Sequence, residues 1–148
     1  MNAATQTPTR APQDELLGVR YLRGGNSPLT GFDCFTLMAF VRWHWFGLAT
    51  PLGQWPTREL STAGLCALMI RRALGRDAQA LWPWQRIEAT PGCVVALGRA
   101  RHGRLHHCGV WLEARGVLHA LESTGVVWTP GERIAQLYSR CEFYELWP

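Results

Sequence analysis

The sequence contains no lysine, so its positive charge comes entirely from arginine. The formal net charge is only +4 over 148 residues, and the arginines are scattered along the chain. Nucleic-acid-binding domains concentrate basic residues on one face or in one stripe. We therefore expect no nucleic acid among the partners of this protein.

Long apolar runs are absent as well. No stretch approaches the roughly 20 apolar residues that a membrane-spanning helix requires. Residues 1–13 are polar and small, and they lack the apolar segment of a secretory signal peptide. We expect residues 1–13 to form a flexible or partner-bound arm, and residues 14–148 to form a single domain.

The cysteines show no paired framework. Their number is five, which suits reduced thiols made in the cytosol. A zinc site built from His102, His106, His107 and Cys108 is the weaker alternative, because these ligands crowd into one loop and strand without a second Cys-x-x-Cys pair. We expect neither a metal nor a cofactor.

Cys34 falls in the predicted first turn of a helix. Residues 24–31 are rich in glycine, serine and proline and predict a loop, whereas apolar residues from 35 to 46 recur with a helical period. A helix N-terminus offers unpaired N–H groups and the positive end of the dipole, and both lower the pKa of a cysteine. Cys34 is therefore a candidate nucleophile, although lone cysteines are more often buried packing residues.

A nucleophilic cysteine needs a base, and histidine is the usual one. Residues 105–112 and 117–121 predict two strands joined by a turn. In such a hairpin His107 and His119 can lie side by side, one acting as the base and the other orienting its ring. His44 lies within the apolar helix and is expected to pack or to lie at the surface.

The remaining pattern predicts an α+β fold. Helices are expected at 14–22, from Cys34 onward, at 58–74 and at 132–138, with strands at 93–97, 105–112, 117–121, 125–128 and 141–146. The helices come mainly before an antiparallel sheet of about five strands, and this segregation is typical of the α+β class. The chain also has eight tryptophans, and we expect Trp82-Pro83-Trp84 to form a docking or substrate-edge element.

Five motifs in register resemble the NlpC/p60 cell-wall endopeptidases, a branch of the papain-like cysteine peptidases. These motifs are Val19-Arg20-Tyr21-Leu22-Arg23-Gly24-Gly25, Asp33-Cys34, Pro91-Gly92-Cys93-Val94-Val95, His107-x-Gly109-Val110 and Val117-Leu118-His119-Ala120. The resemblance runs from about residue 17 to residue 127. It implies the papain-like NlpC/p60 fold, with N-terminal helices packed on the sheet.

The resemblance also implies a role for each matched residue. Cys34 would be the nucleophile, His107 the general base and then general acid, and His119 the orienting third residue. Tyr21 would donate a hydrogen bond to the oxyanion, and Asp33 would support the helix or the loop. The implied reaction is hydrolysis of an amide through a thioester.

Two positions depart from the family pattern, and the first of them points to a subgroup. Phe35-Thr36 follows the cysteine where most members have Ser-Gly, and Cys93 stands where aspartate is usual. An aromatic residue after the cysteine, together with the ending Glu142-Phe143-Tyr144, resembles the peptidases of bacteriophage tail tips.

That second resemblance implies a setting and leaves alternatives. The expected protein cuts peptidoglycan stem peptides as a phage or prophage tail-tip component, with other tail-tip proteins as partners. It would be made in the host cytoplasm, carried in the virion, and active in the cell wall or periplasm. One alternative is a structural tail or assembly protein with the same fold and weak or no activity; another is an acyltransferase or amidase on a different substrate.

Overall fold

The computed structural model describes residues 10–50, 84–99 and 105–146. Helix α1 (Pro12–Leu16) is followed by strands β1 (Asn26–Ser27) and β2 (Gly31–Phe32), which form a small hairpin, and by helix α2 (Cys34–Phe46). The later part comprises β3 (Trp84–Ile87), β4 (Val94–Gly98), β5 (His107–Leu112), β6 (Gly116–Leu121), β7 (Gly125–Pro130), helix α3 (Gly131–Leu137) and β8 (Arg140–Leu146). This arrangement confirms the predicted α+β class.

Strands β3 to β8 form one sheet in the order β3-β8-β4-β5-β6-β7. Every neighbouring pair is antiparallel, as expected. The sheet has one strand more than the sequence indicated, because the four-residue strand β3 pairs with β8 at the edge. A short edge strand that contains Gln85 and Arg86 gives little of the apolar alternation by which strands are recognised.

The predicted helix at 14–22 is wrong beyond Leu16. Gly18 has a φ of 81°, which breaks the helix. The chain then pairs with β7: the Gly18 N–H donates to the Val126 carbonyl at 3.0 Å, and the Val126 N–H donates to the Val19 carbonyl at 2.8 Å. Residues 18 and 19 therefore run beside β7, and residues 20–22 pair with Phe32. The helix expected at 58–74 lies outside the described residues.

The sheet separates two apolar clusters. Helix α2 packs against β5 and β6 on one face, where Leu37, Met38 and Val41 contribute to the larger cluster. On the other face Ile134 of α3 joins a smaller cluster with Val117 and residues of β4. Alternation along β5 assigns its side chains to the two faces, as expected for a hairpin strand. Within residues 10–50, 84–99 and 105–146, no helix combines the length and the hydropathy that spanning a bilayer requires.

Trp84 belongs to the larger cluster and is fully buried, so the expectation that it forms part of a docking or substrate-edge element is wrong. Its ring lies 5.2 Å from the guanidinium carbon of Arg42. The contact is a buried cation–π pair, which fixes the indole inside the fold. Trp82 lies outside the described residues.

Arg42, in the middle of α2, is also fully buried. Its five N–H donors are matched by five hydrogen bonds: two to the Glu145 carboxylate at 2.6 and 2.8 Å, one to the Gly92 carbonyl at 2.7 Å, one to the Ala49 carbonyl at 3.2 Å and one to Thr50 Oγ1 at 3.1 Å. We call these residues, with Trp84, the Arg42 cluster. The cluster joins α2 to β8 and to the turn before β4.

Candidate active site

A cavity of about 760 Å³ lies where the N-terminus of α2 meets the start of β5 and the end of β6. Its walls hold most of the residues singled out from the sequence. Its polar lining includes Tyr21, Cys34, Arg99, His106, His107, Glu122 and Tyr138.

Cys34 is the first residue of α2 and is only 4% exposed. Asp33 caps the helix: its carboxylate accepts the Thr36 N–H at 2.8 Å, and Thr36 Oγ1 accepts the Asp33 N–H at 3.1 Å. The other Asp33 carboxylate oxygen accepts the Gly24 N–H at 2.9 Å. One side chain thus completes a capping box and anchors the glycine-rich loop, which together fix the position of Cys34.

Tyr21 reaches the cavity through backbone pairing with Phe32. The Leu22 N–H donates to the Phe32 carbonyl at 3.0 Å, and the Phe32 N–H donates to the Arg20 carbonyl at 3.1 Å. Burial raises the pKa of Tyr21 above its ordinary value, and the nearby Cys34 and Asp33 raise it further. The phenol therefore stays protonated at neutral pH and can donate a hydrogen bond.

His107 and His119 are in direct contact. His107 Nε2 lies 2.7 Å from His119 Nδ1. The approach depends on Gly109, which lies two residues after His107 on β5 and packs against β6. A Cβ at Gly109 would lie 2.6 Å from Val117 Cγ1, 2.7 Å from the Leu118 carbonyl oxygen and 3.0 Å from His119 Cβ. The glycine of the His-x-Gly motif therefore lets β5 and β6 come close enough for the two rings to meet.

A third residue, Thr129, continues this contact. His119 Nε2 lies 2.8 Å from Thr129 Oγ1 on β7. Thr129 is not among the residues predicted from the sequence, since the predicted strand ends at residue 128. The only available signal was alternation: β7 pairs Val127 with His119 and Thr129 with Val117, so Thr129 shares the face of His119.

His119 is 1% exposed, and its environment keeps it uncharged. Burial lowers the pKa of His119 from 6.5 to about 3, and the neighbouring His107 contributes to the lowering. A neutral imidazole has one N–H and one lone pair. His119 can therefore donate to one of its two partners and accept from the other.

Tyr138, at the end of α3, packs on both histidines. Its ring is stacked on His107 with centroids 6.1 Å apart and meets His119 edge-on at 6.5 Å. Burial raises the pKa of Tyr138, so the packed ring stays neutral at neutral pH. Nothing in the sequence marked this residue, because its role depends on how α3 folds back over the sheet.

The other candidates take different places. His106 lines the cavity. Burial lowers its pKa, and the charges of His107 and Arg99 lower it further. His44 lies outside the cavity, with its ring 4.1 Å from that of Phe40. Among the described residues, no group of three or more His, Cys, Asp or Glu side chains is arranged to hold a metal ion. His102 is outside the described residues.

The remaining described cysteines are not placed for chemistry. Cys93, Cys108 and Cys141 lie on or beside strands, away from the lining of the cavity. Burial raises the pKa of Cys93 to about 11 and that of Cys141 to about 11, so both remain thiols at neutral pH. Cys34 alone among the described cysteines lines a cavity that also holds a histidine and a tyrosine, the parts that acyl transfer through a thiol requires.

Comparison with known proteins found a match in fold and none in sequence. No protein-family model and no curated protein sequence matches this chain. Among solved structures, an NlpC/p60 family protein from Bacillus cereus is similar with a TM-score of 0.50 at 17% identity, over 91% of this chain and 40% of that one.

Two further solved structures gave lower scores. The NlpC/p60 domain of the peptidoglycan hydrolase SagA has a TM-score of 0.48 at 16% identity, over 88% of this chain and 90% of that one. A Staphylococcus aureus protein of the same family, similar to a lipoprotein, has a TM-score of 0.48 at 22% identity, over 88% of this chain and 39% of that one. The chain spans two fifths or less of the Bacillus and Staphylococcus proteins.

The likeness to the Bacillus protein shows that this chain has the NlpC/p60 fold. This result confirms the fold that the motif resemblance implied. It also agrees with the position of α2 against the antiparallel sheet.

Proposed function

We propose that this protein is a cysteine endopeptidase that hydrolyses amide bonds in the stem peptides of bacterial peptidoglycan. The observation that carries the proposal is the 2.7 Å contact between His107 Nε2 and His119 Nδ1 at the wall of the cavity that Cys34 lines. The motif resemblance to cell-wall endopeptidases, together with the NlpC/p60 fold, supports the choice of substrate.

The proposed reaction begins with proton transfer from Cys34 to His107. Because His119 engages Nε2, Nδ1 is the nitrogen that takes the proton. The thiolate attacks the amide carbonyl carbon and forms a C–S bond, while the carbonyl π electrons move to oxygen. Tyr21, kept protonated by its raised pKa, donates to that oxyanion, together with N–H groups at the start of α2.

The tetrahedral intermediate then collapses. The imidazolium of His107 gives its proton to the leaving nitrogen, the C–N bond breaks, and a thioester on Cys34 remains. His107 next takes a proton from water, which attacks the thioester carbonyl. Release of the new carboxyl group returns the proton to the Cys34 sulfur.

The charges around the cavity suit a peptide with groups of both signs. Arg99 and Glu122 both line it and are both exposed. A guanidinium binds carboxylates well, and a carboxylate binds amino groups. Stem peptides carry free carboxylates and amino groups, so the two residues provide matching partners at the cavity.

The proposed setting is the tail tip of a phage or prophage, where other tail-tip proteins would be the partners. The protein would be made in the host cytoplasm, carried in the virion, and active in the cell wall or periplasm. This part of the proposal rests on the sequence resemblance, carried by Phe35 after the nucleophile and by Glu142-Phe143-Tyr144 near the end of the chain.

The proposal is tested by digesting purified peptidoglycan and identifying the fragments by mass spectrometry. Wild type is compared with Cys34→Ala and with Cys141→Ala, a matched loss of a thiol outside the cavity. We expect new stem-peptide termini with wild type and Cys141→Ala only. Fragments of equal yield from Cys34→Ala would overturn the mechanism. No fragments from folded wild type would overturn the hydrolase assignment in favour of a structural tail protein.

A further inference from the structure

We propose that Thr129 is a positioning residue whose hydroxyl stabilises the His119 tautomer that His107 needs to act as a base. The inference rests on the proposed function, since it concerns the same histidines. It rests on two successive contacts: Thr129 Oγ1 lies 2.8 Å from His119 Nε2, and His119 Nδ1 lies 2.7 Å from His107 Nε2. We call these three residues the histidine chain.

His119 must choose between two arrangements of its single ring hydrogen. In the first, the hydrogen is on Nδ1 and is donated to His107, while Nε2 accepts from the Thr129 hydroxyl. In the second, the hydrogen is on Nε2 and is donated to Thr129 Oγ1, while Nδ1 accepts from His107. Both satisfy every ring nitrogen of His119.

Only the second arrangement supports proton transfer from Cys34. In the first, His107 Nε2 is an acceptor, so a neutral His107 has its hydrogen on Nδ1 and cannot take another there. In the second, His107 has its hydrogen on Nε2 and a lone pair on Nδ1. After Nδ1 takes the proton, the His107 imidazolium still donates its Nε2 hydrogen to the lone pair on His119 Nδ1.

Thr129 makes the second arrangement possible inside the protein. His119 is 1% exposed, so a hydrogen on Nε2 needs an acceptor from the protein. Thr129 Oγ1 supplies that acceptor and takes no proton itself. Without the hydroxyl, the buried Nε2–H of His119 would have no acceptor at this position. The resulting desolvation cost would favour the first arrangement.

The test follows the alkylation rate of Cys34 by iodoacetamide as a function of pH, with the modified residue identified by mass spectrometry. Thr129→Val removes the hydroxyl and keeps the shape, whereas Thr129→Ser keeps the hydroxyl. Thr90→Val makes the same change at an exposed position away from the histidines. Circular dichroism confirms folding, and Thr129→Ala is the second variant without a hydroxyl if the valine variant does not fold.

We expect the loss of the hydroxyl to lower the alkylation rate at pH 7 about tenfold, the usual scale for one net hydrogen bond, and to move the midpoint of the profile to higher pH. Thr129→Ser and Thr90→Val should follow the wild-type profile. A valine or alanine profile that overlays wild type would overturn the inference. So would a Thr129→Ser profile as impaired as that of Thr129→Val.

Alkylation reports on the thiol without any peptidoglycan, so the two proposals fail separately. If the alkylation profile of Thr129→Val is shifted but wild type does not cleave peptidoglycan, the role of Thr129 is supported and the hydrolase assignment is overturned. If wild type cleaves peptidoglycan but the Thr129→Val profile is not shifted, the hydrolase assignment is supported and the role of Thr129 is overturned. Where cleavage is measurable, Thr129→Val should lower kcat and leave KM nearly unchanged, because Thr129 lies behind the histidines.

Discussion

The Arg42 cluster and the histidine chain are both buried polar networks, but they differ in what their groups are free to do. Arg42 uses all five N–H donors, and the Glu145 carboxylate balances its charge. The histidine chain contains a neutral ring, His119, and reaches the cavity through His107. One network is saturated and closed, whereas the other ends where a substrate can bind.

The difference shows that burial of a polar side chain does not by itself mark a functional site. A saturated ion pair has no remaining capacity for chemistry, so its physical role is to hold elements in place. A chain of titratable rings that reaches a cavity can change protonation during a reaction. We expect mutations in the Arg42 cluster to affect stability and mutations in the histidine chain to affect reactivity.

The largest expected effect is on stability, at Glu145. Glu145→Ala leaves the fully buried Arg42 charge without its carboxylate, and we expect the free energy of unfolding to fall by about 3–5 kcal/mol. Denaturant titration measures the loss, with Glu88→Ala as the exposed control. In the fraction that remains folded, Cys34 alkylation should match wild type. A loss below about 1 kcal/mol, the value of an exposed pair, would remove the distinction between the two networks.

The second prediction concerns acid. Unfolded His119 takes up a proton near pH 6.5, whereas the folded residue does so only near pH 3. The unfolded state therefore binds more protons in this window, so stability falls as pH drops below 6.5. Between pH 7 and pH 5 the contribution is about 2 kcal/mol. Denaturant titrations at both pH values should show a smaller loss for His119→Asn than for wild type; equal losses would contradict the neutral, buried state of His119.

The third prediction sharpens the comparison at Gly109. A methyl group there meets the backbone of β6 and His119, so Gly109→Ala should displace the rings from each other. We expect Cys34 alkylation at pH 7 to slow about tenfold, the scale of one lost hydrogen bond. Gly47→Ala is the matched control, since φ of 62° makes the change costly but no atom lies within 4 Å of the new methyl. Equal alkylation rates in wild type and Gly109→Ala would show that the close approach of β5 and β6 is not needed.

The smallest expected effect is at Asp33, which is structural although it adjoins Cys34. Asp33→Ala removes the bonds to the Thr36 and Gly24 amides, and we expect a loss of about 1 kcal/mol in unfolding free energy. Asp33→Asn can still accept from the Thr36 amide and should recover most of that loss in a thermal melt. No difference between the alanine variant and wild type would show that the cap contributes nothing.

The sequence was sufficient where the signal is local. The start of α2 at Cys34 follows from turn residues followed by a helical apolar period, and the β5–β6 hairpin follows from two apolar strands around a turn. These two elements carry Cys34, His107 and His119. The identity of most candidate site residues could therefore be predicted from the sequence, and the α+β class followed from the order of helices and strands.

Long-range contacts could not be predicted in the same way. Arg42 lies in an apolar helix, but its partner Glu145 is 103 residues away. Thr129 reaches His119 only through the β6–β7 register, and Tyr138 reaches His107 only because α3 folds back on the sheet. Helix α1 ends early because residues 18 and 19 pair with β7, a tertiary contact that overrides local helix propensity.

The central claim is that Cys34 is a thiol activated by His107, and its most direct test is the alkylation rate of each cysteine at pH 7 in wild type and His107→Ala. We expect Cys34 to react first in wild type, since burial holds the pKa of Cys93 and of Cys141 at about 11. His107→Ala should slow Cys34 about a hundredfold, the lower range for loss of a general base, and leave the other cysteines unchanged. A Cys34 that reacts no faster than Cys141, or that is indifferent to His107→Ala, would contradict the account.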